Sequence, residues 1–456
     1  MEEGTRCLIK IEDLGHAGEG VGRVDGLAVF VPGALPGEEV EVEITQVKRN
    51  YARGVLAAIH TKSQRRVEPE CSLHGLCGGC QLQHLSYPFQ LAYKEQLVEN
   101  ALRRIGGLHV PIQPIVPAPN PWNYRTKIQA PVGVKGKDIV TGCFARGTHD
   151  IVPMDSCLIQ HPLNNLVLRN IRGLVKKHRL SVYDERSGQG DLRHIIVRVG
   201  EDEALVTLVT RRERVPHLQE LARELMETVP LVAGVVQNIN PTRTNVILGP
   251  KTIPLAGRDY LTVSLDGVKF RVSARAFLQV NWEQTKALYR IVRDYAQLTG
   301  RERLVDAYCG IGTIALYLAP WAGEVYGIEE VPEAVKDAMV NSRLNDRQAT
   351  FICGLVEEEL AKLARKGPID VLVMDPPRKG CHPRVLETIR SARVDRVVYV
   401  SCNPATLARD LGMLNGYEIL AVQPIDMFPQ THHVECIVML TNSSFGGKIR
   451  QSNHYM

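Results

Sequence analysis

Apolar positions along this chain follow three different rhythms. Near the amino terminus they alternate with polar residues in short runs at 6–12, 27–31, 39–47 and 54–59, separated by turns bearing glycine and proline. Period-two alternation predicts half-buried strands, so residues 1–60 should form a small all-β barrel. Between Tyr87 and Ile105 the spacing becomes helical. Leu91, Leu97, Val98, Ala101, Leu102 and Ile105 fall near one face, with Pro88 in the first turn and Gly106-Gly107 at the end. Pro111, Pro114, Pro117, Pro119 and Pro121 then interrupt regular structure, and Arg193–Val199 and Ala204–Thr210 predict a hairpin across Gly200-Glu201-Asp202-Glu203. In the last third the apolar runs become short and continuous: Arg303-Leu304-Val305-Asp306, Glu324–Ile328, Asp370–Met374 and Val397–Val400. Such runs suit strands buried on both faces of a parallel sheet.

The ends of these last strands carry the chemistry. One runs into Ala307-Tyr308-Cys309-Gly310-Ile311-Gly312-Thr313, one into Asp375-Pro376-Pro377-Arg378, and one into Ser401-Cys402-Asn403-Pro404. In open α/β sheets ligands bind at the carboxyl edge of the strands. A glycine turn, a carboxylate and a thiol are therefore expected in one crevice. The glycine turn is a weak signal taken alone. Gly310 to Ala315 fits the loose dinucleotide pattern and leads into a helix expected over Ile314–Ala319, yet such turns also serve plain strand–helix packing. Glu329 ends the next strand, where a carboxylate accepts hydrogen bonds from ribose hydroxyls. A nicotinamide cofactor and S-adenosylmethionine both fit that pair of features. The thiol at Cys402 beside an Asp-Pro-Pro turn has no evident use in hydride transfer and an obvious one in pyrimidine methylation.

Eleven cysteines, no signal peptide and no apolar run of membrane-spanning length point to a reducing cytoplasm and no membrane. Cys71, Cys77 and Cys80 crowd one glycine-rich loop. Three thiols so close suggest a metal site, and all-sulfur ligation suits zinc or an iron–sulfur cluster. The spacing C-x3-C-x2-C of radical chemistry is absent. Cys7, Cys143, Cys309, Cys353, Cys381 and Cys436 show no ligand spacing and read as core or incidental thiols.

The residues at the strand ends resemble the RNA uracil-5-methyltransferases. Ala276-Phe277-Leu278-Gln279-Val280-Asn281 is similar to the family's F-x-Q-V-N segment, Asp375-Pro376-Pro377-Arg378 to its D-P-[PA]-R turn, Ser401-Cys402-Asn403-Pro404 to its nucleophile segment, and His433-Val434-Glu435-Cys436 to its terminal H-V-E strand. All four occur in the family's order. The resemblance implies a Rossmann-like catalytic domain at 261–443; the strand pattern before it reads as a central β-rich domain at 61–260, and the polar, glycine-containing segment 444–456 as a disordered tail. The resemblance implies Cys402 as nucleophile and Glu435 as base. Taken alone, Glu435 reads as a surface carboxylate on a strand. The resemblance further implies that Gln279, Tyr308, Thr313, Glu329 and Asp375 contact S-adenosylmethionine, Thr313 standing where some relatives carry Asn. It makes Cys157 the fourth ligand beside Cys71, Cys77 and Cys80. With the three-plus-one layout, it favours a [4Fe–4S] cluster. The segment Cys353-Gly354-Leu355-Val356-Glu357 departs from the family's pattern after the third strand, so no adenine contact is assigned there.

The chemistry asks for this set. C5 of uracil is a poor nucleophile; a thiolate adding at C6 turns C5 into an enolate carbon, and a base must later remove the C5 proton.

Gly15 to Gly22 and Val31 to Glu38 resemble a TRAM module, an OB-like RNA-binding barrel, and Lys48, Arg49, Tyr51 and Arg53 offer cations around an aromatic ring. The 456 residues, with a net charge of +5, suit about three domains and permit RNA as partner. A monomer acting on RNA is expected. The barrel favours ribosomal RNA (the 23S branch), and transfer RNA is the alternative. Three other enzyme readings are weaker: cytosine methylation would want a cysteine in the Asp-Pro-Pro turn, amino methylation an aromatic at Arg378, and hydride transfer leaves the thiol idle. A non-enzymatic RNA-binding iron–sulfur protein would leave Cys402 and Glu435 without a task.

Overall fold

The computed structural model describes residues 1–444; the expected disordered tail, from residue 445 on, lies outside the described residues. The amino-terminal alternation closes into a barrel. Its strands are β1 (Arg6–Leu14), β2 (Gly20–Val24), β3 (Leu27–Val31), β4 (Glu39–Val47) and β5 (Tyr51–Thr61), in the order β1-β2-β3-β5-β4. Ile9, Ile11, Val29, Val31, Val42 and Ile44 fill its interior. The sequence pattern missed β2, whose two glycines dilute its apolar rhythm.

After the cysteine loop comes α1 (Tyr87–Arg104), with Pro88 in its first turn. Val98, Ala101 and Leu102 are buried among residues of the carboxyl-terminal half, including Leu407, Leu411 and Val422. Ile105, expected on that face, is the C-cap and exposed.

The middle of the chain builds a sheet from β6 (Lys127–Lys135), β7 (Asp138–Phe144), β8 (Ile151–Pro153), β9 (Leu192–Val199), β10 (Ala204–Thr210), β11 (Val232–Ile239) and β12 (Lys251–Gly257), with helices α2 (Pro162–Lys177) and α3 (Leu218–Thr228). The strand order is β12-β11-β10-β9-β6-β7-β8. β9 and β10 form the expected antiparallel hairpin, and both are buried along their whole length. Two helices share one core with this sheet, so the region is mixed rather than purely β-rich.

The last part begins with the hairpin β13 (Tyr260–Leu265) and β14 (Val268–Ser273), then α4 (Trp282–Ala296). Alternation follows through β15 (Arg303–Ala307), α5 (Thr313–Leu318), β16 (Glu324–Glu329), α6 (Pro332–Leu344), β17 (Thr350–Cys353), α7 (Val356–Lys366), β18 (Val371–Met374), α8 (Pro383–Ala392), β19 (Arg396–Ser401) and α9 (Pro404–Gly412). The chain closes with β20 (Tyr417–Ile425) and β21 (Glu435–Asn442). The sheet runs β17-β16-β15-β18-β19-β21-β20. Its first five strands are parallel, while β21 is antiparallel to both neighbours. Two large apolar clusters cover its two faces, which explains the continuous apolar runs. β15 and β18 are neighbours although three strands apart in the chain's parallel series. That switch point opens a crevice at the carboxyl edge.

Candidate active site

Each site residue is delivered by a strand end. Tyr308 follows β15 with φ +66, a left-handed conformation costly for a side chain of this size. The glycines beyond it are used differently. A Cβ on Gly310 would meet nothing within 4 Å, so its backbone faces open space; one on Gly312, at φ +79, would lie 2.8 Å from the Phe351 ring. Gly310 therefore suits ligand approach and Gly312 tight packing. Glu329, at the end of β16, accepts the Gly310 N–H at 3.0 Å and remains half-buried at the crevice.

Asp375 follows β18 and Cys402 follows β19, where Asn403 caps α9 by accepting from Ala405 N at 3.1 Å. The same Asn403 amide donates to the Arg378 carbonyl at 3.1 Å, which ties the Asp-Pro-Pro-Arg turn to the cysteine turn. Glu435 arrives from the opposite direction. Because β21 is antiparallel to β19, with Cys436 paired to Ser401, its first residue lies at the same edge as the last residues of the parallel strands. Glu435 is 1% exposed and neither carboxylate oxygen has a hydrogen-bond partner. This overturns its reading as a surface carboxylate. An unpartnered buried carboxylate costs stability, so it signals a functional demand.

The electrostatics follow from burial. Desolvation pushes Glu435 well above the carboxylate range, nearby Asp375 adds to the rise, and Arg378 opposes it. Asp375 is pushed up to about 7 by burial. Two buried carboxyls beside one another hold their protons more tightly than either would alone. Cys402 is pushed up to about 11 by burial, then by Glu435 and Asp375, with Arg378 pulling down.

A single cavity of about 1290 Å³ is lined by Gln279, Tyr308, Glu329, Asp375, Cys402 and Glu435. Thr313 is not among its lining residues. As the first residue of α5 it sits beside the Tyr289 hydroxyl. The open glycine turn, a ribose-height carboxylate and an aromatic at the strand end fit the adenosine part of a methyl donor. Sequence reasoning gave no role to several other lining residues, Arg125, Lys127 and Phe428 among them. Lys127 is pulled down to about 7 by burial and by Arg198 and Arg125. Arg125 and Lys127 are isolated basic residues without a motif around them, so no sequence signal marked them. His433 Nε2 lies 3.3 Å from the Arg378 guanidinium.

Cys71, Cys77, Cys80 and Cys157 line the far end of the same cavity. Cys80 is pushed up to about 12, by burial first and then by Cys157, Cys77 and Cys71 as neighbouring thiols. Four cysteine side chains lining one cavity are an all-sulfur donor set of the kind an iron–sulfur group takes. Among the described residues no three Cys, His, Asp or Glu side chains converge on one metal-ion position. Cys143 corrects the sequence reading. The Cys77 stretch bridges antiparallel to Ala145, and Cys143, which showed no ligand spacing, lines the cavity together with Cys77.

The barrel cations are placed unequally. Arg53 lies 3.8 Å from buried Glu19, and Tyr51 packs edge-on to Phe30 at 5.8 Å between centroids. No helix among the described residues is long and apolar enough to cross a membrane.

Fold and crevice together define an S-adenosylmethionine-dependent methyltransferase. Residues 1–57 match the TRAM domain model, and residues 201–443 match the model described as tRNA (Uracil-5-)-methyltransferase. A Bacillus cereus protein named as an RNA methyltransferase is 47% identical, the alignment covering 97% of each chain. One from Caldanaerobacter subterraneus, similarly named, is 45% identical over 96% of this chain and 98% of its own. The crystal structure of Pyrococcus abyssi tRNA (uracil-54, C5)-methyltransferase, in complex with S-adenosyl-L-homocysteine, is similar with a TM-score of 0.78 at 28% identity, covering 95% of this chain and 99% of that one. The chain belongs to the RNA uracil-5-methyltransferase family.

Proposed function

We propose that this chain methylates C5 of uridine in ribosomal RNA, 23S RNA first, through a covalent adduct between Cys402 and C6. The observation that carries the reading is a half-buried thiol and a fully buried, unpartnered carboxylate lining one cavity. S-adenosylmethionine, when bound, supplies an electrophilic methyl group. Gln279, Tyr308, Glu329 and Asp375 are the residues that would hold it. Cys402 loses its proton and adds to C6, which puts electron density on C5. After methylation, Glu435 takes the C5 proton and the sulfur leaves. A raised pKa makes Glu435 a stronger base once ionised. Arg125 and Lys127 are suited to phosphates at the cavity wall. The domain limits 1–60, 61–260 and 261–443 belong to the same reading.

We also assign the [4Fe–4S] cluster to Cys71, Cys77, Cys80 and Cys157, on the cavity these four thiols share and on the resemblance of their layout to the family's. Transfer RNA is the second reading, and one observation favours it. The Pyrococcus abyssi enzyme, named for tRNA, aligns with 95% of this chain, so its counterpart extends into the barrel and the barrel does not by itself separate the two substrates.

Two experiments test this. Mapping 5-methyluridine in ribosomal and transfer RNA, with and without the gene, identifies the substrate; loss only from transfer RNA would refute the ribosomal assignment. On 5-fluorouridine RNA a covalent adduct should accumulate and vanish in Cys402→Ala. Glu435→Gln should transfer methyl and then stall, trapping adduct on ordinary RNA. Normal turnover by Glu435→Gln would remove it from the mechanism.

A further inference from the structure

Glu435 opens β21, and the turn before it is held from the middle of the chain, where Asn281, Gln284 and Tyr124 donate to the Met427, Asp426 and Pro429 carbonyls, and from α1, far away in sequence. Residues 426–434 join β20 to β21 and carry Phe428, Thr431 and His433 into the cavity. Asp426 is fully buried; its Oδ1 accepts from Lys94 Nζ at 2.5 Å and its Oδ2 from the Tyr87 hydroxyl at 2.8 Å. Lys94, itself 0% exposed, also donates to the Phe428 carbonyl at 3.0 Å. One turn earlier on α1, the Gln90 amide donates to Gln430 Oε1 at 2.9 Å and its oxygen accepts the Gln430 N–H at 3.1 Å. Gln430 has φ +68, a conformation that persists only when its surroundings over-determine it.

None of Tyr87, Gln90, Lys94 and Asp426 is among the residues lining the cavity, so ligand binding does not account for them. Stability does not either. A fully buried lysine is rare, and exchanging a buried ion pair for apolar residues of similar size is often neutral or stabilising. The well-attested use of such pairs is to select one arrangement among several. Here the arrangement selected is the turn into the base. Ile425, next to Asp426, is paired in register with Glu435.

We propose that Lys94, with Tyr87 and Gln90, is a positioning residue for the elimination base, holding the 426–430 turn in the one conformation that presents Glu435 to C5. This rests on the reading of Glu435 as base. The step it serves breaks the C5–H bond, moves that proton to the Glu435 carboxylate, returns the electron pair to the C5–C6 bond and expels the Cys402 thiolate by breaking S–C6. Cys402 is held separately, by β19 and the Asn403 cap, so adduct formation and methyl transfer do not depend on the pin.

The test uses the full chain and ribosomal and transfer RNA from cells lacking the gene. Lys94→Met alone leaves Asp426 buried without a counter-charge and threatens folding. The double variant Lys94→Met/Asp426→Asn removes both charges, and Tyr87→Phe removes one hydroxyl. The double variant should unfold near the parent temperature, bind S-adenosylmethionine normally and transfer methyl in a first turnover. Its steady-state turnover should fall at least tenfold, with denaturant-resistant protein–RNA adduct building up, and Tyr87→Phe should do the same more weakly. Parent-like turnover without adduct in the double variant, or equal slowing of both half-reactions, would overturn the inference. Glu435→Gln is run alongside. If it traps no adduct, the base assignment itself fails; if it traps adduct while the Lys94 variants turn over normally, only the positioning role fails.

Discussion

Cys402 has to become a thiolate to attack a pyrimidine, yet the folded chain favours the thiol. With its pKa pushed up to about 11, by burial and by Glu435 and Asp375, roughly one molecule in a thousand is ionised at pH 8. An ordinary cysteine near pKa 8.5 is ionised in roughly one of four. That alone slows alkylation about 240-fold. The more basic sulfur is also the better nucleophile, and a Brønsted coefficient of about 0.45 over 2.5 units returns roughly tenfold. Iodoacetamide should therefore modify Cys402 in the RNA-free protein about 20-fold more slowly at pH 8 than an unperturbed cysteine. The rate should climb about tenfold per pH unit from pH 7 to 10 without levelling. Peptide mass spectrometry separates Cys402 from the other thiols among the eleven. Arg378→Met, which removes the cation opposing the shift, should slow the reaction further. A rate that levels off at or below pH 9 would refute the account of how burial and the two carboxyls hold the thiol.

Two more predictions follow from the rest of the chain. Anaerobically purified protein should be brown, with iron and sulfide near four each per chain, whereas stoichiometric zinc without iron would overturn the cluster. In the barrel, replacing Lys48, Arg49 and Arg53 by Gln should make the slope of log affinity against log salt shallower by roughly 0.7 per lost phosphate contact. Arg53 should contribute least because of its Glu19 pairing. Point variants are preferred to deleting residues 1–60, because the barrel is docked by Tyr93 donating to the Gly15 carbonyl at 2.7 Å and by Arg146 to Glu19 at 2.9 Å. Unchanged salt dependence in the triple variant would make the cluster of cations a solvated face.

Much of the catalytic edge could be read from local pattern. Val397–Val400 and Asp370–Met374 are apolar runs stopped by proline, and a buried parallel strand followed by a turn is the economical outcome for such runs. Glycines at 310 and 312 announce backbone that side chains resist. These are properties of residues within a few positions of one another, so the chain alone determines them. β2 was not legible because glycine dilutes its rhythm, whereas α2 and α3 carry plain helical spacing at Leu163, Val167, Ile171 and Leu174 and at Leu218, Leu221, Ala222 and Leu225. The limit is plainer at the site. Glu435 looks like any strand carboxylate until β21 is inserted antiparallel beside β19, which carries it to the edge and strips its water. Cys143 has no ligand spacing, and only the bridge between the Cys77 stretch and Ala145 makes it a neighbour of Cys77. Lys94 reads as a solvated helix residue until α1 is laid on the carboxyl-terminal half, where Asp426 waits 332 positions away. Sequence determines which segments can be strands, turns or helices, since those choices are settled by nearby atoms. Burial, strand direction and long-range charge pairing belong to the tertiary structure, because each depends on groups that only folding brings within reach.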